Sequence, residues 1–187
     1  YAYSRGANPT RNAFEELFAK FEGSKYAFAL ASGMAATSAA FALLKSGDRV
    51  LLNNNVYGGT YRYVSGIFKN QGINYDLVDD LNLITEIPSD VKMVFIETPS
   101  NPLLRVTDIE RISELAHKNG ALVVMDNTFL TPYYQRPLEH GADVVVYSAT
   151  KYIGGHADLI AGIVTTNDDE LAARIQFMKN TLGATLS

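Results

Sequence analysis

The sequence predicts an α/β fold: a three-layer sandwich built around a mostly parallel sheet. Three observations carry that expectation. Strand-length apolar runs alternate with helical patterns from one end of the chain to the other. Several of those runs, KMVFIE, ALVVMD and VVVY among them, are continuously apolar rather than alternating, so both faces of the sheet need covering. No linker, low-complexity tract or charge run divides the 187 residues, and 47% hydrophobic content is enough for one sizeable core.

The elements follow in order. Asn8 and Pro9 suit the cap and first position of a helix through RNAFEELFAKF, which Gly23 ends. The short strand YAFAL comes next. Ser32 and Gly33 then open a helix of small residues, MAATSAAFALL, closed at Gly47 before the strand RVLLN. A helix from about Tyr61 to Lys69 leads to the strands INYDLV and KMVFIE. The helical pattern DIERISELAHKNG precedes the strand ALVVMD, and the strands DVVVYS and AGIVTT are followed by a last helix, DDELAARIQFMKN.

Composition narrows the function. The net charge of -4 is mild and the basic residues are scattered, which leaves no electrostatic footprint for nucleic acid and no polybasic membrane patch. The expected partner is a small molecule or another protein. The absence of cysteine removes disulfides, thiolate metal sites and cysteine nucleophiles together, and a cytoplasmic setting fits best. No apolar run approaches the roughly 18 residues of a membrane span. His117, His140 and His156 have no metal-ligand spacing, so no metal is expected. His156, in GGHAD, is expected to order its loop through a backbone hydrogen bond rather than to shuttle protons. No G-x-G-x-x-G follows a strand, and no G-x-x-x-x-G-K-[ST] occurs, which sets a nucleotide-binding domain aside. The chain opens at YAYSRG and stops at TLGATLS just after a helical pattern, and it reads as an excerpt from a longer protein.

In such sheets a ligand sits at the carboxyl ends of the strands. The residues there are unusually polar: Ser32-Gly33-Met34, Thr98-Pro99-Ser100-Asn101-Pro102, Asn127-Thr128 and Ser148-Ala149-Thr150-Lys151. The N–H groups after Ser32 can receive a phosphate, although an ordinary helix cap explains the serine equally well. A lysine held among apolar strands loses proton affinity, and its neutral amine can then form a Schiff base with a carbonyl. A carboxylate from a neighbouring strand, Asp126, can hold a proton on a pyridine nitrogen, while the hydroxyls of Ser148 and Thr150 bind phosphate. These parts fit pyridoxal 5'-phosphate. A structural ion pair between Asp126 and Lys151, with two capping hydroxyls, is the alternative on these residues alone.

The segments YSRGANPT, SGMAA, VYGGTY, ETPSNP, DNTFLTPYYQRPLEHGADVV and YSATKYIGGHAD occur in this order and span almost the whole chain. Together they resemble the signatures of the Cys/Met-metabolism, or trans-sulfuration, family of pyridoxal phosphate enzymes. That family includes cystathionine β-lyase, cystathionine γ-lyase, cystathionine γ-synthase, methionine γ-lyase and O-acetylhomoserine sulfhydrylase. The resemblance implies the large domain of the fold type I, transferase-like architecture over residues 1–187, with an N-terminal arm and a C-terminal small domain outside the chain. It gives Lys151 the Schiff-base linkage and the proton transfers, Asp126 the pyridine nitrogen, and Tyr57 ring stacking and acid–base work. Gly33, Met34, Ser148 and Thr150 would bind the phosphate. Tyr3 and Arg5 would reach the phosphate of a neighbouring subunit, in a homotetramer built from dimers with shared active sites. Asn101 would lie near the ring oxygen, and Glu97 and Thr128 would support the site. A strand-end carboxylate facing solvent is the plainer reading of Glu97.

The activity implied is a lyase that cleaves a C–S bond of cystathionine or a related sulfur amino acid by β- or γ-elimination. A γ-replacement enzyme and a non-catalytic cofactor-binding protein are the alternatives. One departure bears on this: methionine γ-lyases usually carry cysteine where this chain has Gly59. An arginine that grips the substrate carboxylate would lie beyond Ser187, so the chain alone is expected to be poorly active.

Overall fold

The computed structural model describes residues 2–187. Helix α1 (Pro9–Glu22) begins where the Asn8 side chain accepts the N–H groups of Thr10 and Arg11. It ends at Gly23, whose φ of 74° is the left-handed conformation that glycine adopts without penalty. The chain then forms β1 (Tyr26–Leu30), α2 (Gly33–Phe41), β2 (Arg49–Asn53), α3 (Gly58–Gly66), α4 (Phe68–Gln71) and β3 (Asn74–Val78). After β4 (Val91–Glu97) come α5 (Ile109–Lys118), β5 (Leu122–Asp126), α6 (Thr131–Tyr134), β6 (Val144–Tyr147), β7 (Gly162–Thr166) and α7 (Asp169–Leu182).

Two expected helices differ from their sequence patterns. Helix α2 stops at Phe41, and tight turns at Leu43 and Leu44 carry the chain to β2. The helix expected near Tyr61 to Lys69 starts earlier, at Gly58, and is broken at Ile67 into α3 and α4. Pattern reading follows the buried stripe, and that stripe continues through these breaks because Leu43 and Phe68 are themselves buried.

Seven strands form one sheet in the order β1-β7-β6-β5-β4-β2-β3. Strand β7 runs antiparallel to both of its neighbours, and every other pairing is parallel. The continuous apolar runs are explained by two cores. Val50, Leu52, Met93, Phe95, Val124, Val144 and Val146 pack on one face with residues of α2, α3, α4 and α7. Leu51, Val94, Ile96, Val123, Met125, Val145 and Tyr147 pack on the other with residues of α1 and α5. Side chains alternate along a strand, so a strand buried on both faces cannot spare a polar position until it ends. The polar residues accordingly collect at the shared carboxyl edge of the parallel strands.

Candidate active site

Strand periodicity decides which way the strand-end residues point. Ile96 and Met125 belong to the core under α1 and α5, so Glu97 and Asp126, one residue on, face the opposite side, toward α2. The two are register partners across β4 and β5. Ser32, Gly33, Met34 and Tyr57 close the same space from α2 and the loop before α3, and Asn101, Thr128, Ser148, Thr150 and Lys151 close it from the loops after β4, β5 and β6. The resulting cavity is about 270 Å³.

One wall is shaped for an anion. The Ser32 hydroxyl caps α2 by accepting the Ala35 N–H at 3.0 Å, so the cap reading of Ser32 holds. The cap does not engage the N–H groups of Gly33 and Met34, which point from the positive end of the helix. The backbone approaches closely here: a methyl group on Gly33 would lie 2.6 Å from the Cβ and 2.9 Å from the Cα of Ser148. Among the described residues the Ser148 hydroxyl has no hydrogen-bond partner, and it faces this corner of the cavity.

Asp126 is held rather than free. Its Oδ1 accepts the Thr128 N–H at 3.0 Å and the Thr128 hydroxyl at 2.6 Å. Thr128 Oγ1 in turn accepts the Ser148 N–H at 2.8 Å, which ties the end of β5 to the end of β6. Burial pushes the Asp126 carboxyl above its ordinary 3.8, against the two Thr128 bonds that favour the charged form. Glu97 does not face solvent: it is 6% exposed. Burial and then the charge of Asp126 push it up to about 8, although its oxygens accept the N–H of Tyr57 at 2.7 Å and of Asn101 at 2.9 Å.

Several sequence expectations need correction. Lys151 is not walled in by apolar strands. It is exposed, on the turn after β6, with its backbone N–H bonded to Ser148 O, and it lines the mouth of the cavity. It makes no ion pair with Asp126 or any other described residue, so that alternative is not formed. The Thr150 hydroxyl is already engaged, donating to Ala161 O at 3.1 Å and accepting the Ala161 N–H at 3.0 Å. It closes the loop that carries Lys151, and with its one hydrogen already donated it has nothing left to give an accepting phosphate oxygen. Thr128, expected to support the site, bonds to both Asp126 and the Ser148 N–H.

Tyr3 and Arg5 are absent from this chain's own cavity. Tyr3 is exposed, the Arg5 guanidinium lies 5.1 Å from its ring centroid, and Arg5 bonds to Asn180 O on α7. His156 Nδ1 lies 3.4 Å from Gly154 O, a long contact within the exposed loop after Lys151. Pro99, in the stretch after β4, lines the cavity too, and so do Thr37, Phe129 and Ile160, which were not singled out in the sequence. Of these three only Phe129, next to Asn127-Thr128, lies close enough to a strand-end motif to have been flagged.

Pyridoxal phosphate fits the residues present. The unengaged N–H groups, the glycine with no room for a Cβ and the free Ser148 hydroxyl suit a phosphate, and a carboxyl enclosed at the far side suits a protonated ring nitrogen.

Solved structures resemble the chain over its full length. Cystathionine gamma-lyase from Lactobacillus plantarum, complexed with L-serine, has a TM-score of 0.96 at 43% identity, covering 100% of this chain and 50% of that one. The structure of metB from Corynebacterium glutamicum gives 0.95 at 44% identity with the same coverage. Fold and cavity thus define the class, a fold type I pyridoxal-phosphate-dependent domain. The chain belongs to the Cys/Met metabolism PLP-dependent enzyme family, whose profile matches residues 1–187. Among curated relatives, cystathionine beta-lyase of Lactococcus lactis subsp. cremoris is 51% identical over 189 residues, covering 100% of this chain and 50% of that protein. Cystathionine gamma-lyase of Bacillus subtilis is 45% identical with the same coverage. The chain spans about half the length of the curated relatives it matches.

Proposed function

We propose that this chain is the cofactor-binding large domain of a carbon–sulfur lyase that acts on cystathionine or a closely related sulfur amino acid. The observation that carries the reading is the meeting of Lys151, Asp126 and the anion-receptive start of α2 around one cavity. Similarity to proteins named cystathionine beta-lyase and cystathionine gamma-lyase supports it. We place the protein in the cytoplasm on its cysteine-free composition; no helix of the described residues is long and apolar enough to cross a membrane.

Bound pyridoxal phosphate supplies an electron sink for the charge left when a proton departs from an amino acid's Cα. The chain's own residues do the rest. The Gly33 and Met34 N–H groups and the Ser148 hydroxyl would hold the phosphate, at a corner where α2 and Ser148 approach closely. Asp126, oriented by Thr128, holds a proton on the ring nitrogen. Tyr57 would stack on the cofactor ring, and Asn101 would serve its ring oxygen. The Lys151 amine, at the mouth of the cavity, is the nucleophile toward the cofactor's carbonyl and the base that takes and returns the Cα proton. Its exposure in the isolated chain leaves room for further protein to cover it and dry the site. The half-length match to the relatives supports such a covering part, and with it a substrate-gripping arginine outside this chain.

The exposed Tyr3 and the adjacent Arg5 support an assembly in which this strip serves a neighbouring copy, in dimers that pair into a tetramer. An arginine fork suits phosphate there.

Product analysis of the full-length protein with L-cystathionine tests the function. Pyruvate with homocysteine marks β-cleavage, and 2-oxobutyrate with cysteine marks γ-cleavage. A visible absorption band that responds to added amino acid, and disappears in Lys151→Ala, is the control. A normal band with neither keto acid formed would overturn the lyase reading.

A further inference from the structure

Two loops that follow neighbouring strands line the cavity, one bearing Tyr57 between β2 and α3, the other bearing Asn101 after β4. Both are bonded to a single side chain. Glu97 Oε2 accepts the Tyr57 N–H at 2.7 Å, and Glu97 Oε1 accepts the Asn101 N–H at 2.9 Å. The bonds use different oxygens, which restricts the residue type. Glutamine has one oxygen and one NH₂, so one of the two N–H groups would face another donor. Only a side chain with two acceptor oxygens at this reach satisfies both.

That choice is made against an electrostatic cost. Glu97 is nearly buried and has a second carboxyl, Asp126, as its register partner. A glutamine would avoid burying a second carboxyl beside Asp126, so the need for two acceptors prevails over that cost. Neighbouring bonds hold Glu97 in turn: its N–H points to Asn53 Oδ1 at 3.4 Å, and Asn53 Nδ2 donates to Thr107 Oγ1 at 3.3 Å.

We propose that Glu97 is a positioning residue of this site, a two-oxygen clasp that sets the separation and tilt of the Tyr57 and Asn101 loops across the bound cofactor. The proposal rests on the functional reading above for what the loops hold, and on this chain's bonds alone for the clasp. Glu97 does not touch the reacting atoms. The charged and titratable groups around it are Asp126 on β5, Tyr57 on its loop and Lys151 across the cavity. A charge on Glu97 therefore strengthens the hold of Asp126 on a proton, and on a cationic ring N–H placed against it.

Hydrogen–deuterium exchange on the full-length protein without cofactor is the first test, read by mass spectrometry over residues 53–60 and 98–104. The Tyr57 and Asn101 amides are expected to be protected; exchange at free-loop rates in the wild type would overturn the proposal outright. In E97Q, at least one of the two amides should exchange roughly tenfold faster or more, as expected when a buried N–H loses its acceptor. In the cofactor-loaded enzyme, kcat should fall by about tenfold or more with a smaller change in KM, the signature of misplaced groups. Without cofactor, the stability slope that reaches to about 8 should be lost in Glu97→Gln, whose amide does not titrate, and kept in Glu97→Asp. Glu97→Asp keeps both oxygens but falls one methylene short, so it should lose kcat all the same. A Glu97→Gln enzyme that differs only in melting temperature would reduce Glu97 to a structural role. A wild-type protein that binds no pyridoxal phosphate would sink the functional reading instead, and exchange at the two amides would still decide the clasp.

Discussion

The hydroxyl of Tyr147, at the end of β6, donates to the carboxyl of Glu22, the last residue of α1, although 125 residues separate them in sequence. Both side chains are enclosed, and Asn127 Nδ2 completes the contact by donating to the Tyr147 oxygen at 3.0 Å. The other Glu22 oxygen, Oε1, is buried without a partner. Burial pushes the Glu22 carboxyl from its ordinary 4.5 up to about 7, the Tyr147 bond and Arg136 pulling the other way. The same burial raises Tyr147, with the neighbouring carboxyl adding to the effect.

A pH dependence of stability follows. Unfolded, Glu22 loses its proton near 4.5, while folded it keeps it to about 7. Between those values the folded chain carries the extra proton, so its stability falls as pH rises, by up to ~3 kcal/mol in all, and levels off above pH 7. Glu97 adds a similar slope reaching to about 8 in the protein without cofactor. Glu22→Gln should flatten the lower part of that slope. Urea unfolding at pH 5 and pH 8 measures it, and an equal slope in wild type and variant would refute the assignment.

Gly33 at the cavity and Gly162 behind it should respond differently to alanine. At Gly162 an added methyl would overlap the carbonyl of Ser32, a backbone atom with nowhere to go, and the expected cost is about 3 kcal/mol in thermal unfolding. At Gly33 the added methyl would meet Ser148 Cβ at 2.6 Å and Cα at 2.9 Å, a lesser overlap that the start of α2 has to move to relieve. Gly33→Ala should therefore weaken pyridoxal phosphate binding by roughly tenfold or more while lowering stability less, because the site depends on that close approach.

Asp126→Asn separates charge from shape. Asparagine keeps an oxygen for the two Thr128 bonds but carries no negative charge to hold a ring proton. Turnover should fall by about a hundredfold or more, the scale of losing a preorganised electrostatic group. Without its charged neighbour Glu97 should also titrate lower, toward the ordinary carboxylate range, visible as a shallower stability slope near pH 8.

Lys179 on α7 is 2% exposed, and its Nζ lies 2.9 Å from Glu15 Oε1, which also accepts the Ala29 N–H at 2.7 Å. Lys179→Met should cost on the order of 3 kcal/mol, because it strands a largely buried carboxylate. Glu15→Gln added to Lys179→Met should recover much of that loss, since the glutamine oxygen still serves Ala29 without a charge. A double-mutant cycle in urea measures the coupling.

The elements legible in the sequence are those whose signal is local. The strands announce themselves by apolar runs of the right length, α1 by Asn8, Pro9 and Gly23, and the chemical edge by polar residues that follow the runs. Lys151 and Asp126 stand out for that reason, since a double-sided core tolerates such residues only past a strand's end. The breaks at Phe41 and Ile67 were not legible, because the apolar pattern continues across them.

The sequence by itself determined the class of fold, the family and the residue types gathered at one sheet edge, because periodicity, capping and motif order are written along the chain. Tertiary structure alone decided that β7 runs against its neighbours, that Thr150 is spent on Ala161, and that Lys151 stands at an open mouth. It alone paired Glu97 with Asp126 and made one carboxylate hold two loops. The reason is physical: register, burial and hydrogen-bond competition depend on which distant atoms share a space, and that is settled only when the sheet closes.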